Sequence, residues 1–122
     1  MKKTVFQGMA TALITPMTPE GIDYDTLGKF IEFQIDSGIN ALVVMGTTGE
    51  NATIEPADQE KIIRYTVKKV AHRVPVIAGT GTNCTAHVLE QTKAACEAGA
   101  DAVLVVTPYY NKATQKGLIA HF

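Results

Sequence analysis

The sequence predicts an α/β protein built on parallel strands, and three observations carry that expectation. Four short apolar runs, at residues 10–14, 41–44, 76–78 and 102–106, consist of β-branched, leucine and alanine residues with little polar alternation. Strands buried on both faces read in this way. The runs begin about thirty residues apart, and helical patterns fill the intervals, as in repeated βαβ units. A doubly wound open sheet and a closed (β/α)8 barrel both satisfy this pattern, and periodicity alone leaves the two open.

The first interval holds Leu27, Phe30, Ile31, Gln34 and Ile35 at spacings of three and four, with Gly38 just past the end, the signature of one amphipathic helix. A second helix begins near Pro56, a favourable first-turn residue, with Asp58 and Glu60 suited to its positive end. It buries Ile63, Val67 and Val70 and closes on the basic Lys68, Lys69, His72 and Arg73. The third carries Val88, Leu89, Thr92 and Cys96 on one buried face, with Thr85 helping to cap its start and Gly99 ending it. A fourth starts near Gln115 and is cut off at Phe122.

Composition narrows the function classes. The chain has 122 residues, 46% apolar and 19% charged, with a net charge of −1. That balance belongs to an ordinary soluble domain with a core of its own and favours neither a nucleic-acid backbone nor an anionic membrane surface. The apolar runs are far too short to span a bilayer. Lys2 and Lys3 are followed by no apolar signal segment, so a cytoplasmic protein is expected. Cys84 and Cys96 lack a partner at C-x-x-C spacing and the three histidines are scattered, so both thiols are expected reduced and no metal site is expected. The triplets Asn51-Ala52-Thr53 and Asn83-Cys84-Thr85 are chance glycosylation matches in such a chain.

In parallel α/β folds the chemistry sits in the loops after the strands' C-terminal ends. Four segments qualify: Thr15-Pro16, Gly46-Thr47-Thr48-Gly49-Glu50, Gly79-Thr80-Gly81-Thr82-Asn83, and Thr107-Pro108-Tyr109-Tyr110-Asn111-Lys112. In the second, two glycines permit a tight turn and close approach to a ligand, while adjacent hydroxyls and free N–H groups suit a small carboxylate. The alternative is a glycine-rich turn whose threonines merely cap it. The third segment departs from a dinucleotide fingerprint, because Asn83 stands where glycine or alanine is required and no P-loop lysine follows. In the fourth, adjacent tyrosines on extended chain point in different directions; a phenol suits a proton relay, and packing or interface contact is the competing role. His72 reads as a surface residue at a helix end and His121 lies in the last helix. His87 reads as a helix-surface residue near the face where a ligand would lie.

Taken together and in order, Ala12-Leu13-Ile14-Thr15-Pro16, the GTTGE loop, Pro75-Val76-Ile77-Ala78-Gly79-Thr80-Gly81 and Thr107-Pro108-Tyr109-Tyr110-Asn111 resemble the dihydrodipicolinate synthase and N-acetylneuraminate lyase family of pyruvate-dependent lyases. The resemblance implies the barrel, with residues 1–122 as the N-terminal half of a single (β/α)8 domain, roughly its first four βα units, truncated in the fourth helix. It implies pyruvate held as a lysine Schiff base, whose enamine attacks an aldehyde, with no other cofactor. It assigns Thr47 to a proton relay, Gly46 and Thr48 to substrate binding with Thr48 on the pyruvate carboxylate, and Tyr110 to a relay lent across a tetramer to a neighbouring subunit. The Tyr-Tyr-Asn run looks like the synthase branch, for which the aldehyde is aspartate semialdehyde and the pathway lysine and diaminopimelate biosynthesis.

The resemblance also implies residues that this chain lacks. The family's Schiff-base lysine lies on the sixth strand and a further relay tyrosine after the fifth, both beyond Phe122. The lysines Lys29, Lys61, Lys68, Lys69 and Lys93 fall on helices and Lys112 on a polar loop, so none replaces the missing one, and the chain alone is expected to be inactive. Asn83 and Tyr109 fit the family's lysine-inhibition site, whereas His87 stands where sensitive members often carry glutamate. Histidine is a poor partner for the effector's amine. A related aldolase acting on sialic acid or a 2-keto-3-deoxy sugar acid, and a non-catalytic half-barrel scaffold, are the alternatives.

Overall fold

The apolar runs do pair as parallel strands. The computed structural model describes residues 4–122, so Lys2 and Lys3 lie outside the described residues. Strand β1 (Ala10–Ala12) is followed by a small hairpin, β2 (Met17–Thr18) with β3 (Gly21–Ile22), and by helix α1 (Tyr24–Asp36). Strand β4 (Ala41–Val44) leads through two 3-10 turns, Thr47–Gly49 and Asn51–Thr53, into α2 (Pro56–Val70). Then come β5 (Val76–Gly79), α3 (Thr85–Glu97), β6 (Ala102–Leu104) and α4 (Gln115–His121).

The main sheet runs β1-β4-β5-β6, every pair parallel. Consecutive strands are therefore neighbours, with α1 packed on α2 and α2 on α3 along one face. A doubly wound sheet reverses its strand order and splits its helices between two faces. This chain does neither, so the ambiguity left by periodicity closes in favour of (β/α) barrel units.

Register shows which residues face which way. Leu42 lies beside Val76 and Val44 beside Ala78; all four are buried, against Leu27 and Ile31 of α1 and Ile62, Ile63 and Val70 of α2. The opposite face presents Ala12, Val43, Ile77 and Ala102 in one row, with Leu104 beside Gly79. Leu42, whose type suits either face, thus faces the helices, and its neighbour Val43 takes the barrel side. Leu104 stays 50% exposed.

Local chemistry sets the helix ends. Asp23 caps α1, its Oδ1 accepting from the Thr26 N–H at 2.9 Å and its Oδ2 from the Thr26 hydroxyl at 2.7 Å. The backbone bond, then the hydroxyl, holds its carboxyl below the usual range. Gly38 leaves α1 at φ +84°, a left-handed conformation that glycine adopts without strain. Helix α2 stops three residues short of Arg73, because Ala71 and His72 turn left-handed at φ 50° and 60°. Arg73 then folds back, Nε donating to the Val70 carbonyl at 2.9 Å.

Several sequence expectations are corrected. The first and fourth strands are shorter than the apolar runs, and Ile14 and Val106 are exposed. Helix α3 buries Val88 and Ala95, while Cys96 is exposed and Leu89 is 68% exposed, so neither belongs to its inner stripe. The stripe follows the residues that meet α2 and β6, a direction that a weakly amphipathic segment leaves undefined. Thr85 does not cap α3: Cys84 holds the cap position without a side-chain bond, and the Thr85 hydroxyl pairs with His121 Nδ1 at 2.8 Å. No helix is long and apolar enough to cross a membrane among the described residues.

Candidate active site at the C-terminal strand ends

The loop after β4 is built by two left-handed hinges and two short turns. Met45 and Glu50 adopt φ of 56° and 58°, a conformation that costs a non-glycine residue roughly 1–2 kcal/mol. Between them, Gly46 is extended and Thr47–Gly49 winds one 3-10 turn, closed by Gly49 N–H to the Gly46 carbonyl and Glu50 N–H to the Thr47 carbonyl, both 3.0 Å. The sequence suggests that the loop's glycines supply its tight turns. The structure assigns them another task, since the left-handed positions belong to Met45 and Glu50.

Close approach explains the glycines instead. A Cβ on Gly79 would intrude on the Met45 carbonyl oxygen and sit 2.8 Å from the Gly46 Cα. A Cβ on Gly49 would lie 3.2 Å from the Thr15 hydroxyl and 3.3 Å from the Leu13 carbonyl. One on Gly81 would overlap the backbone of Val106. The ends of β1, β4, β5 and β6 thus interlock through missing side chains, which brings all four predicted loops to one rim.

Two polar side chains secure the β4 loop from below. Thr15, buried at the end of β1, donates its hydroxyl to the Gly49 carbonyl at 2.7 Å. Gln59, buried on α2, donates Nε2 to the Asn51 and Ile54 carbonyls, each at 2.8 Å. The sequence alone gives Thr15 no evident task and does not single out Gln59. A polar residue three and four positions before the buried Ile62 and Ile63 was the available signal, since it places an amide on the apolar stripe.

Thr47 and Thr48 stand exposed on top of this anchored turn. The leading N–H groups of a 3-10 turn have no carbonyl one turn earlier. Two hydroxyls beside such donors are groups able to satisfy several lone pairs of a small carboxylate. Gly46 is buried beneath them, where a Cβ would meet only Val43 Cγ1 at 3.6 Å.

The adjacent tyrosines differ in exposure, but the loop is not extended as expected: the Asn111 N–H donates to the Tyr109 carbonyl at 2.8 Å, so the chain turns at Tyr110. Tyr110, at φ 70°, is 94% exposed. Tyr109 lines a cleft of about 280 Å3 with Gly81, Thr82, Asn51, Pro56 and Gln59. Asn83 and Asn111 tie the third and fourth loops together, Asn111 Nδ2 donating to the Asn83 carbonyl at 3.0 Å. His87 is exposed and opens on a neighbouring cleft of about 260 Å3 between α2 and α3, beside Glu60 and Glu90. Pro56 and Gln91 border both clefts. Of the three residues proposed for an effector, Asn83 and Tyr109 therefore share one loop junction and His87 stands apart.

The lysines among the described residues are paired or in solvent. Lys61 Nζ lies 2.8 Å from Asp58, a hydrogen bond that raises its pKa, and Lys69 and Lys93 approach Glu32 and Glu97. Lys112 is exposed on the last loop at φ 49°. Among the described residues no group of three or more histidine, cysteine, aspartate or glutamate side chains could hold a metal ion.

Known proteins share this arrangement. The sequence model of the Dihydrodipicolinate synthetase family matches residues 5–122. The 4-hydroxy-tetrahydrodipicolinate synthase of Acetivibrio thermocellus is 56% identical over 122 residues, all of this chain and 42% of that protein. The crystal structure of dihydrodipicolinate synthase from Aquifex aeolicus superimposes with a TM-score of 0.92 at 51% identity, over 95% of this chain and 40% of the other. The chloride-inhibited dihydrodipicolinate synthase of Acinetobacter baumannii, complexed with pyruvate, gives a TM-score of 0.93 at 45% identity, over 97% of this chain and 40% of that one. The chain thus spans about 40% of the length of the relatives it matches.

Proposed function

The chain belongs to the dihydrodipicolinate synthetase family, and from that membership we propose that it supplies the first four βα units of a barrel enzyme that condenses pyruvate with L-aspartate 4-semialdehyde. The product is 4-hydroxy-tetrahydrodipicolinate, on the route to diaminopimelate and lysine, in the cytoplasm. The observation that carries this reading is the exposed Thr47-Thr48 pair on its anchored turn, a carboxylate cradle at the strand ends of a chain whose relative was crystallised with pyruvate.

In this reading Thr48 and the backbone at Gly46 take the pyruvate carboxylate and leave the ketone directed toward an amine. A lysine outside this chain adds to that ketone and expels water, giving the imine; loss of a methyl proton gives the enamine that attacks the aldehyde carbon. The amino group of the former semialdehyde then adds to the imine carbon and displaces the lysine, which closes the ring and frees the enzyme amine. An amine attacks only when desolvated or deprotonated by a neighbour, and the solvent-exposed or ion-paired lysines here offer neither. Thr47 passes protons to and from the reacting carbons with Tyr110, which reaches from a neighbouring subunit of a tetramer. The high exposure of Tyr110 supports that role, because a phenol that packs on nothing in this chain is available to a neighbouring subunit.

The test is a condensation assay on the complete enzyme with pyruvate and a panel of aldehydes. Preference for aspartate semialdehyde supports the reading. Preference for a sugar-derived aldehyde, or for N-acetylmannosamine, moves the enzyme to a different branch of its family.

A further inference from the structure

We infer that Thr15 is a positioning residue for the pyruvate-binding turn, an inference that rests on the function proposed above. Its hydroxyl is the one polar side-chain group of the Thr15-Pro16 segment, and nothing in that reaction requires it to touch substrate.

The geometry points to a specific task. The Thr47–Gly49 turn has hinges at Met45 and Glu50, both in a conformation that non-glycine residues leave readily unless held. Between those hinges, the Thr15 hydroxyl donates to the Gly49 carbonyl at 2.7 Å across a separation of 34 residues. Thr15 is 7% exposed, so no water competes freely for that carbonyl. The fit is tight: a Cβ on Gly49 would be 3.2 Å from the same hydroxyl and 3.4 Å from Met45 Cε. Gln59 holds the following turn separately through the Asn51 and Ile54 carbonyls. Thr15 is therefore the side chain that ties the threonine-bearing turn itself to the strand below.

Removing that bond leaves a buried carbonyl unpaired and lets the turn pivot on its two hinges, displacing Thr47 and Thr48 together. A misplacement of about 1 Å at a reacting group costs on the order of 10²-fold. In the complete enzyme, Thr15→Val preserves the side chain's shape and deletes the donor, whereas Thr15→Ser keeps the donor. We expect Thr15→Val to raise KM for pyruvate and lower kcat/KM for pyruvate by roughly 10–100-fold, and Thr15→Ser to restore both to within about threefold of wild type. A purely structural role would reduce the fraction of active protein, which lowers apparent kcat and leaves KM for pyruvate unchanged. Should the Val variant not fold, Thr15→Ala is read in the same way. An active wild type with an unchanged pyruvate KM in the donor-less variant, or failure of Ser to restore it, overturns the role of Thr15 alone. An inactive wild type overturns the proposed reaction and, with it, this inference.

Discussion

Arg73, just beyond α2, grips Glu32 of α1 with both terminal nitrogens: Nη1 donates to Oε2 at 2.8 Å and Nη2 to Oε1 at 2.9 Å. Lys69 adds its Nζ at 3.1 Å from Oε1. The Arg73 bonds first, and then the Lys69 bond, hold the Glu32 carboxyl down at about 2. The left-handed exit of α2 makes this possible, because it returns Arg73 toward the neighbouring helix instead of continuing away from it.

The pH dependence follows from that pair. Glu32 ionises more easily folded than unfolded, so its contribution is complete above the ordinary value of 4.5 and disappears as pH falls toward about 2. Thermal melts of the complete protein and its Glu32→Gln variant should differ at pH 6 and converge between pH 4.5 and 2. The site is exposed and screened by solvent, so added salt should also shrink the difference. A gap that widens on acidification would contradict this assignment.

Gly79 should tolerate nothing larger. Alanine there drives its methyl into the Met45 carbonyl and against the Gly46 Cα, both backbone atoms unable to step aside alone. Gly79→Ala should cost about 1–3 kcal/mol or more, the range for overpacking, read from denaturant midpoints. Gly46→Ala, whose Cβ meets only Val43 Cγ1 at an ordinary 3.6 Å, should cost less stability. Equal losses would mean that the strand ends do not interlock as described.

These glycines show how far the sequence could be read. The GTTGE and GTG strings identified the loops, because glycine and hydroxyl residues after buried apolar runs have few other uses. Their cause was hidden, since close approach depends on which distant backbone arrives, and Met45 and Gly79 are 34 residues apart. The choice of barrel over open sheet was equally silent in the periodicity, which records burial but not strand order; the family resemblance of the four loop segments carried it. The hairpin at Met17–Thr18 and Gly21–Ile22 went unread although Pro19-Glu20-Gly21 is a turn signal, because two-residue strands leave no alternation to count. Cys96 was misplaced for a related reason: α3 has apolar residues on more than one side, and only the packed neighbours decide which side is inner.

Thr47→Val in the complete enzyme should lower kcat by about 10²-fold or more, the range for losing an acid–base partner, with a much smaller change in pyruvate affinity. The turn is closed by backbone bonds and tied by Thr15, so the substitution leaves its shape in place. Steady-state kinetics with pyruvate varied decides the point. An unchanged kcat with a raised KM would assign Thr47 to binding alone.

The 122-residue chain alone should trap no pyruvate. Lys61, Lys69 and Lys93 pair with carboxylates, and Lys112 is in solvent, so none is the desolvated or base-assisted amine that attack on a ketone requires. Borohydride reduction with pyruvate followed by intact-mass measurement should show the unmodified chain. A stoichiometric adduct on Lys112 would relocate the nucleophile to this loop.

The isolated chain should also fail to remain a monomer. In the β1-β4-β5-β6 sheet, β1 and β6 are terminal strands, each with an outer edge that pairs with no other strand of that sheet, and exposed edges recruit other chains through their N–H and C=O groups. The face away from the helices carries Ala12, Val43, Ile77, Ala102 and Leu104, continued by Ile14 at 52% and Val106 at 40% exposure. Burying apolar surface contributes about 25 cal/mol per Å2, so covering several such side chains yields many kcal/mol. That is comparable with a typical total stability of about 5–15 kcal/mol. In a complete barrel the opposing strands cover this face and pair with both edges. Without them, two copies closing around each other, or an open aggregate, satisfy the same groups. Sedimentation velocity of the 122-residue chain at micromolar concentration should therefore show a dimer or larger species. Leu104→Lys combined with Val43→Lys should shift the population toward monomer by placing charge on the face to be buried. A well-dispersed monomer from the unaltered chain would mean that this face needs no cover.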